Sequence, residues 1–338
     1  MRAKRRRLLG SMGLVLIASS YAPRLCAQPG ERVRRVGFVA TTSPLAEISG
    51  PDPENPFTRA FVHGLRDLGY VQGRNLVLEM RTLEGKPERL QGFIADFVRL
   101  KVEVVFLPSS LLVPVAHKTA PALPIVGLVN ANHLVSSGFA QTMGRPGGSI
   151  TGLSLDADED LEAKRLELLV EFVPQARRIA FVGLREEWER PYAAKMRAAA
   201  ERLGRTMIHV ESGHGDFATA FSRLKQERAG AFMVERSPRA YGRRREIGRL
   251  ALASGLPGSC GQAELVEEGC LMSYSPDNNE LARRLAAYVD KILKGARPGD
   301  LPIEAPTKFE LTVNANTAQS LGIAIPPSVR LRADRVIE

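Results

Sequence analysis

Two successive runs of alternating strand-type and helix-type segments constrain this 338-residue chain more than any other feature. The first strand is read at Val33–Ala40. Asn55 then caps a helix that has Pro56 at its first position, and Phe57, Phe61, Leu65 and Leu68 recur at helical spacing up to Gly69. A strand near 75–82, a Pro87-led helix and strands at 102–107 and 124–129 continue the pattern. Arg145-Pro146-Gly147-Gly148-Ser149-Ile150-Thr151-Gly152 interrupts it. The cycle restarts with helices near 159–172, 189–203, 216–227 and 239–254. The strands between and after them fall near 178–183, 205–210, 230–234 and 256–260. Strands buried on both faces and separated by helices imply parallel sheets covered on each side. The fold class is therefore α/β, with two Rossmann-like lobes spanning 28–150 and 151–273. Residues 274–338 follow as a crossover and C-terminal segment, whose helix at 277–294 is expected to return to the first lobe. Two such lobes facing each other make a cleft at the strands' carboxyl ends.

The formal net charge of +10 invites nucleic acid, an anionic membrane or an acidic ligand as partner. Much of it has another source. Arg2, Lys4, Arg5, Arg6 and Arg7 precede the short apolar run Leu8–Ala18, the order expected of an export signal. Cleavage is expected after Ala27, by the Sec or the twin-arginine route. Residues 1–27 hold six basic residues and no acid, leaving +4 on the mature chain. The charge then gives no reason to expect nucleic acid. Arg243-Arg244-Arg245, beside Glu246, reads as a solvated helix face. The mature chain keeps Cys260 and Cys270, which form either a disulfide or two buried thiols at strand ends.

The usual signatures of chemistry are missing. No G-x-G-x-x-G follows the first strand, and no P-loop lysine, G-x-S-x-G elbow or H-E-x-x-H is present. Asp156, Asp158, Asp160 and Glu167 imitate a calcium loop. Leu161 stands where glycine is needed, so an acidic helix N-terminus is the better reading. His209, Glu211 and His214 lack the usual zinc spacing and read as a solvated loop. No metal and no cofactor is expected.

Several segments together resemble one family. They are Gly64-Leu65-Arg66-Asp67-Leu68-Gly69-Tyr70-Val71-Gln72-Gly73-Arg74-Asn75, the 145–152 segment, Gly269–Tyr274, Tyr288–Gly295, Pro306–Leu311 and Arg332–Glu338. On these the chain is similar to bacterial ABC-transporter substrate-binding proteins of the type I periplasmic-binding fold, in the branch of the tryptophan- and tyrosine-binding proteins. The resemblance implies a monomer in the periplasm that closes over a small molecule by hinge motion and delivers it to a membrane permease. It implies no catalysis. A sensory protein serving a membrane receptor, or less readily an α/β enzyme, would share the fold.

The resemblance also implies a set of ligand-binding positions in the loops after the strands. Ser43 follows the first strand and is otherwise a turn residue. Ser109 and Ser110 precede a helix, where they serve either a carboxylate or plain capping. His133 stands where many relatives carry Asp before Pro, and Asn130 nearby offers a neutral hydrogen bond. In the second lobe Glu187 suits an amine and Tyr192 a ring, while Trp188 reads as packing. Glu235 and Arg236 replace a frequent Pro-Asp loop, with Arg236 placed for an anionic group. Gln262, Tyr274 and Asp277 complete the set. These departures from the family pattern leave the ligand open between an amino acid and another small organic solute.

Overall fold

The computed structural model describes residues 32–154, 160–213 and 216–338. The expected export signal, Cys26, Asp156, Asp158 and His214 lie outside them, as does the side chain of Ser110.

The first half of the chain runs β1 (Arg34–Ala40), α1 (Leu45–Ile48), α2 (Pro56–Asp67), β2 (Leu76–Thr82), α3 (Leu90–Arg99), β3 (Val104–Leu107), α4 (Val113–Thr119), β4 (Ile125–Val129), α5 (Ala131–Ser136) and β5 (Ile150–Ser154). The second runs α6 (Leu161–Phe172), β6 (Arg178–Gly183), α7 (Arg185–Trp188), α8 (Pro191–Arg202), β7 (Thr206–Glu211), α9 (Phe217–Gln226), β8 (Ala231–Val234), α10 (Pro238–Gly242), α11 (Arg244–Ser254), β9 (Gly258–Ser259), α12 (Ala263–Glu267) and β10 (Met272–Pro276). The tail adds α13 (Asn278–Leu293), β11 (Ile303–Glu304), β12 (Phe309–Asn314), α14 (Ala315–Ser320), α15 (Pro327–Arg332) and β13 (Arg335–Ile337).

Two sheets result, ordered β11-β5-β4-β3-β1-β2 and β13-β12-β10-β9-β8-β6-β7. All pairs are parallel except β10 with β12. The reason for the parallel arrangement is visible in the strands. Val104–Leu107 and Ile125–Val129 are buried throughout, so they need cover on both faces. One face of the first sheet packs Phe38, Phe61 and Phe106 with Leu285 and Val289 of α13. The other packs Ile94, Phe97 and Val113 of α3 and α4. The second sheet is sandwiched in the same way, with Leu166, Leu169 and Met196 on one side and Phe217, Leu224 and Ile247 on the other.

Three details depart from the sequence-based expectations. The break placed at 150 falls at the start of β5, which pairs with β4 and stays in the first sheet. Gly152 makes that pairing possible: its φ is +143°, and an added Cβ would lie 2.0 Å from the carbonyl oxygen of Gly127. The single helix read at 239–254 is broken at Arg243 into α10 and α11. The tail divides between the sheets, β11 joining the first and β12 with β13 extending the second.

α13 packs against α2. A Cβ on Gly64 would stand 3.0 Å from that of Ala286, and Tyr70 donates to Asp290 at 2.9 Å. Burial and that bond raise the Tyr70 hydroxyl pKa to about 12. The chain thus passes from β10 of the second sheet straight into a helix of the first. No helix among the described residues is long and apolar enough to cross a membrane.

Candidate functional site

A cavity lies beyond the carboxyl ends of the strands of both sheets, where ligands of open parallel sheets are held. It has two joined chambers that share Pro108, Leu128, Arg236, Ser237 and Pro238. The outer chamber has a volume of about 410 Å³ and a polar wall. The inner chamber is mostly apolar, lined by Phe38, Ile48, Phe57, Phe106 and Leu128 with Ser43, Asn55, Tyr241, Gln262 and Asn278 among them.

From the first lobe, Ser43 enters the inner chamber directly after β1. Its hydroxyl accepts from Asn55 Nδ2 at 3.2 Å. Asn55 Oδ1 in turn accepts from Thr58 N at 3.1 Å, so the cap of α2 doubles as wall. Ser109 lines the outer chamber and accepts from Leu111 N at 3.3 Å; Ser110 begins the 3-10 turn that follows. Asn130 caps α5 by accepting from His133 N at 2.8 Å, and both residues line the outer chamber.

From the second lobe, the short helix α7 brings Glu187 into the outer chamber. Tyr192 donates to it at 2.8 Å and Arg190 stands 3.0 Å away. Burial raises the Glu187 carboxyl above the usual range, and the nearby Arg190 charge opposes this. Burial also lifts the Tyr192 hydroxyl well above its usual value. Trp188 packs away from the cavity, stacked on His209 with ring centres 5.5 Å apart and under Arg197 at 4.6 Å. His209 Nε2 lies 3.0 Å from the carbonyl oxygen of Gly183. No group of three or more His, Cys, Asp or Glu is placed to hold a metal among the described residues.

Arg236 lies between the chambers, its Nε 3.7 Å from Glu162 Oε1. Behind Glu162 is Arg165, which is 0% exposed. Arg165 pairs with Glu162 and donates to the carbonyls of Val234 and Ser259, each at 3.0 Å. That buried guanidinium ties the ends of β8 and β9 to α6 and holds Glu162 towards Arg236. Burial lowers the Arg165 pKa, while the Glu162 carboxylate opposes the shift.

Three of the expected residues lie elsewhere. Glu235 is 0% exposed and accepts from Leu184 N at 2.7 Å, Ser237 Oγ at 2.6 Å and Arg239 at 2.6 Å. It fastens the loop that carries Arg236 and Ser237 and does not line the cavity. Tyr274 stacks on Phe309 at 6.0 Å, on the face of β10 that packs into the second lobe's core. Asp277 is spent on capping α13, accepting from Asn279 N at 2.9 Å and Glu280 N at 3.1 Å. Its neighbour Asn278 lines the inner chamber instead. Arg190, Ser237, Tyr241 and Asn278 escaped the sequence reading. Ser237 beside Arg236, Asn278 beside Asp277 and Arg190, two residues before Tyr192, each had a nearby signal; Tyr241 had none.

The lobes touch beside the inner chamber. Arg244 meets Glu47 at 3.0 Å, and Arg245 meets the same carboxylate at 3.4 Å. Tyr241 accepts from Phe57 N at 3.0 Å and donates to Asn55 at 3.4 Å. Arg244 is 3% exposed, which corrects the reading of a solvated face at that residue, while Arg243 and Arg245 remain exposed. Cys260 and Cys270 are joined as a disulfide with Cα atoms 6.1 Å apart, closing the loop that carries Gln262 and α12.

Comparison with known proteins agrees with this architecture. The family described as ABC transporter substrate binding protein matches residues 49–337. A tyrosine-binding protein of Clostridioides difficile is 20% identical over 280 residues, covering 82% of this chain and 78% of the relative. A Streptococcus pneumoniae ABC domain solved with L-Trp superposes with a TM-score of 0.76 at 19% identity, covering 90% of this chain and all of that one. An open, ligand-free substrate-binding protein from Clostridium difficile superposes at 0.58, with 19% identity and coverage of 90% and 99%. The family match spans most of the chain, and on it this protein belongs to the ABC transporter substrate-binding protein family.

Proposed function

We propose that the mature chain is the exported, ligand-capturing component of an ABC importer, holding a small organic solute between its lobes and passing it to a membrane permease. The observation that carries this reading is the two-chamber cavity walled by loops from both sheets. Its polar chamber offers Arg190 and Arg236 beside Glu162 and Glu187, a mixed set suited to a molecule with both acidic and basic groups. The apolar chamber suits that molecule's body. Ser43, Ser109, Asn130, His133, Glu187, Tyr192, Arg236 and Gln262 are the proposed contacts. Glu235, Tyr274 and Asp277 support the walls. The lobes close as rigid bodies about the passages at β5 and between β10 and α13. In this reading the protein works as a monomer in the periplasm, without a cofactor, without binding nucleic acid and without catalysis.

The test is a thermal-shift screen of residues 28–338 against amino acids, peptides and organic anions, with mass spectrometry of any co-purified molecule. A ligand at 100-fold excess over its Kd is expected to add about 2.7 kcal/mol of stability. A screen in which nothing stabilises the chain refutes the reading.

A further inference from the structure

Gly242 ends α10 with an ordinary helical backbone, outside the left-handed region that favours glycine. What requires glycine there is the other lobe. A Cβ at that position would stand 1.9 Å from Thr42 Oγ1, 3.0 Å from Thr42 Cβ and 3.1 Å from Ser43 N. Turning the Thr42 side chain relieves the first contact and neither of the others, because its Cβ and the backbone nitrogen stay in place. Neither Gly242 nor Thr42 lines either chamber. The bonds on each side of Gly242 also join the two lobes through protein atoms alone. Thr42 Oγ1 donates to the Arg239 carbonyl at 3.4 Å. Tyr241 accepts from Phe57 N, one of the donors that the first turn of α2 leaves free. Glu47 receives both Arg244 and Arg245.

We propose that this contact, seated on Gly242, is a clasp that holds the cleft closed without a ligand, so that the chain rests closed and opens only transiently. Hinge closure over a solute does not by itself require this, since lobes that met only through the solute would fall open in its absence. Here none of the joining bonds passes through the cavity, and their free energy favours closure whether or not the chambers are filled. A solute then enters only during openings, which gate its association rate. Its affinity gains from a cleft that already favours the closed form. The inference rests on the lobes moving about the passages at β5 and between β10 and α13, as in the proposed function.

The test is small-angle scattering of residues 28–338, disulfide intact, after unfolding in urea, dialysis and refolding have removed any co-purified molecule. The wild-type profile is expected to match the closed arrangement. Gly242→Leu is expected to be expanded, because its side chain has no room against Thr42 and Ser43. Gly242→Ala, the milder change, keeps the test valid should leucine prevent folding. It is expected to lower the ratio of closed to open molecules about ten-fold, the effect of a methyl group forced into a packed contact. Urea midpoints should move little, since alanine and leucine favour a helix more than glycine does and offset the lost contact. A wild type that is already expanded, or variants as compact as wild type, overturns the proposal. So does an expansion that comes with a large fall in the urea midpoint, which marks a damaged second lobe. The metabolite screen stays separate. A solute found there together with an open wild type refutes the clasp alone, and a closed wild type that no solute stabilises refutes the solute reading alone.

Discussion

Removing Arg244 is expected to open the molecule rather than unfold it. The Arg244 side chain is 4% exposed and Glu47 17%, so the pair is largely out of water, and it joins α11 of the second lobe to α1 of the first. Deleting one member of a buried pair costs about 3–5 kcal/mol when the remaining charge has no alternative. Here Glu47 retains Arg245 at 3.4 Å, and opening returns it to water. The cost to the closed arrangement is therefore set below that range, at roughly 2 kcal/mol. It corresponds to about a 30-fold change in the ratio of open to closed molecules. Small-angle scattering on Arg244→Ala and Glu47→Ala should show a larger radius of gyration than wild type, while unfolding transitions move little. Ligand affinity should fall in proportion, because binding then carries the cost of closure. The double variant should lose little more than either single one. If each substitution lowers unfolding stability by the full amount with unchanged scattering, or the two effects simply add, the pair is not a latch and the reasoning fails.

Other outcomes follow from the same geometry. Glu264 is buried beside Asn278, and desolvation raises its pKa to about 7 from an ordinary 4.5. Since the folded state holds that proton more tightly, its contribution to stability is full below about pH 4.5 and is lost as pH rises through 7. Glu264→Gln should remove this slope and gain on the order of 3 kcal/mol above pH 7, read from urea midpoints across pH; an unchanged slope refutes the assignment. Replacing Cys260 and Cys270 together by alanine should cost about 3 kcal/mol in urea unfolding by release of their short loop, and a reductant should bring wild type to the same midpoint. Trp188 is the sole tryptophan, and its neighbour Glu187 lines the outer chamber. Binding at that chamber should shift its emission, and a bound ligand that leaves the emission unchanged would place the site away from α7.

The order of strands and helices was legible along the chain because it rests on local physics. Asn55 before Pro56 does cap α2, since a cap is satisfied within three residues. The apolar runs at β3 and β4 announced strands covered on both faces. The family likewise could be read from motifs spread along the chain. Other features could not, because they depend on residues distant in sequence. Arg244 looks like any helix-surface arginine until Glu47, 197 positions away, is brought against it. Tyr274 was drawn into the site by motif, yet its place on β10 turns it towards Phe309. Gln262 is one polar residue among many in the sequence. Its place in the chamber wall is set by the Ser237 carbonyl, 25 positions away, which takes its amide nitrogen. Local propensity and hydrophobic period thus set the α/β pattern, whereas the packing of two separate sheets decided which distant polar groups are paired within the protein.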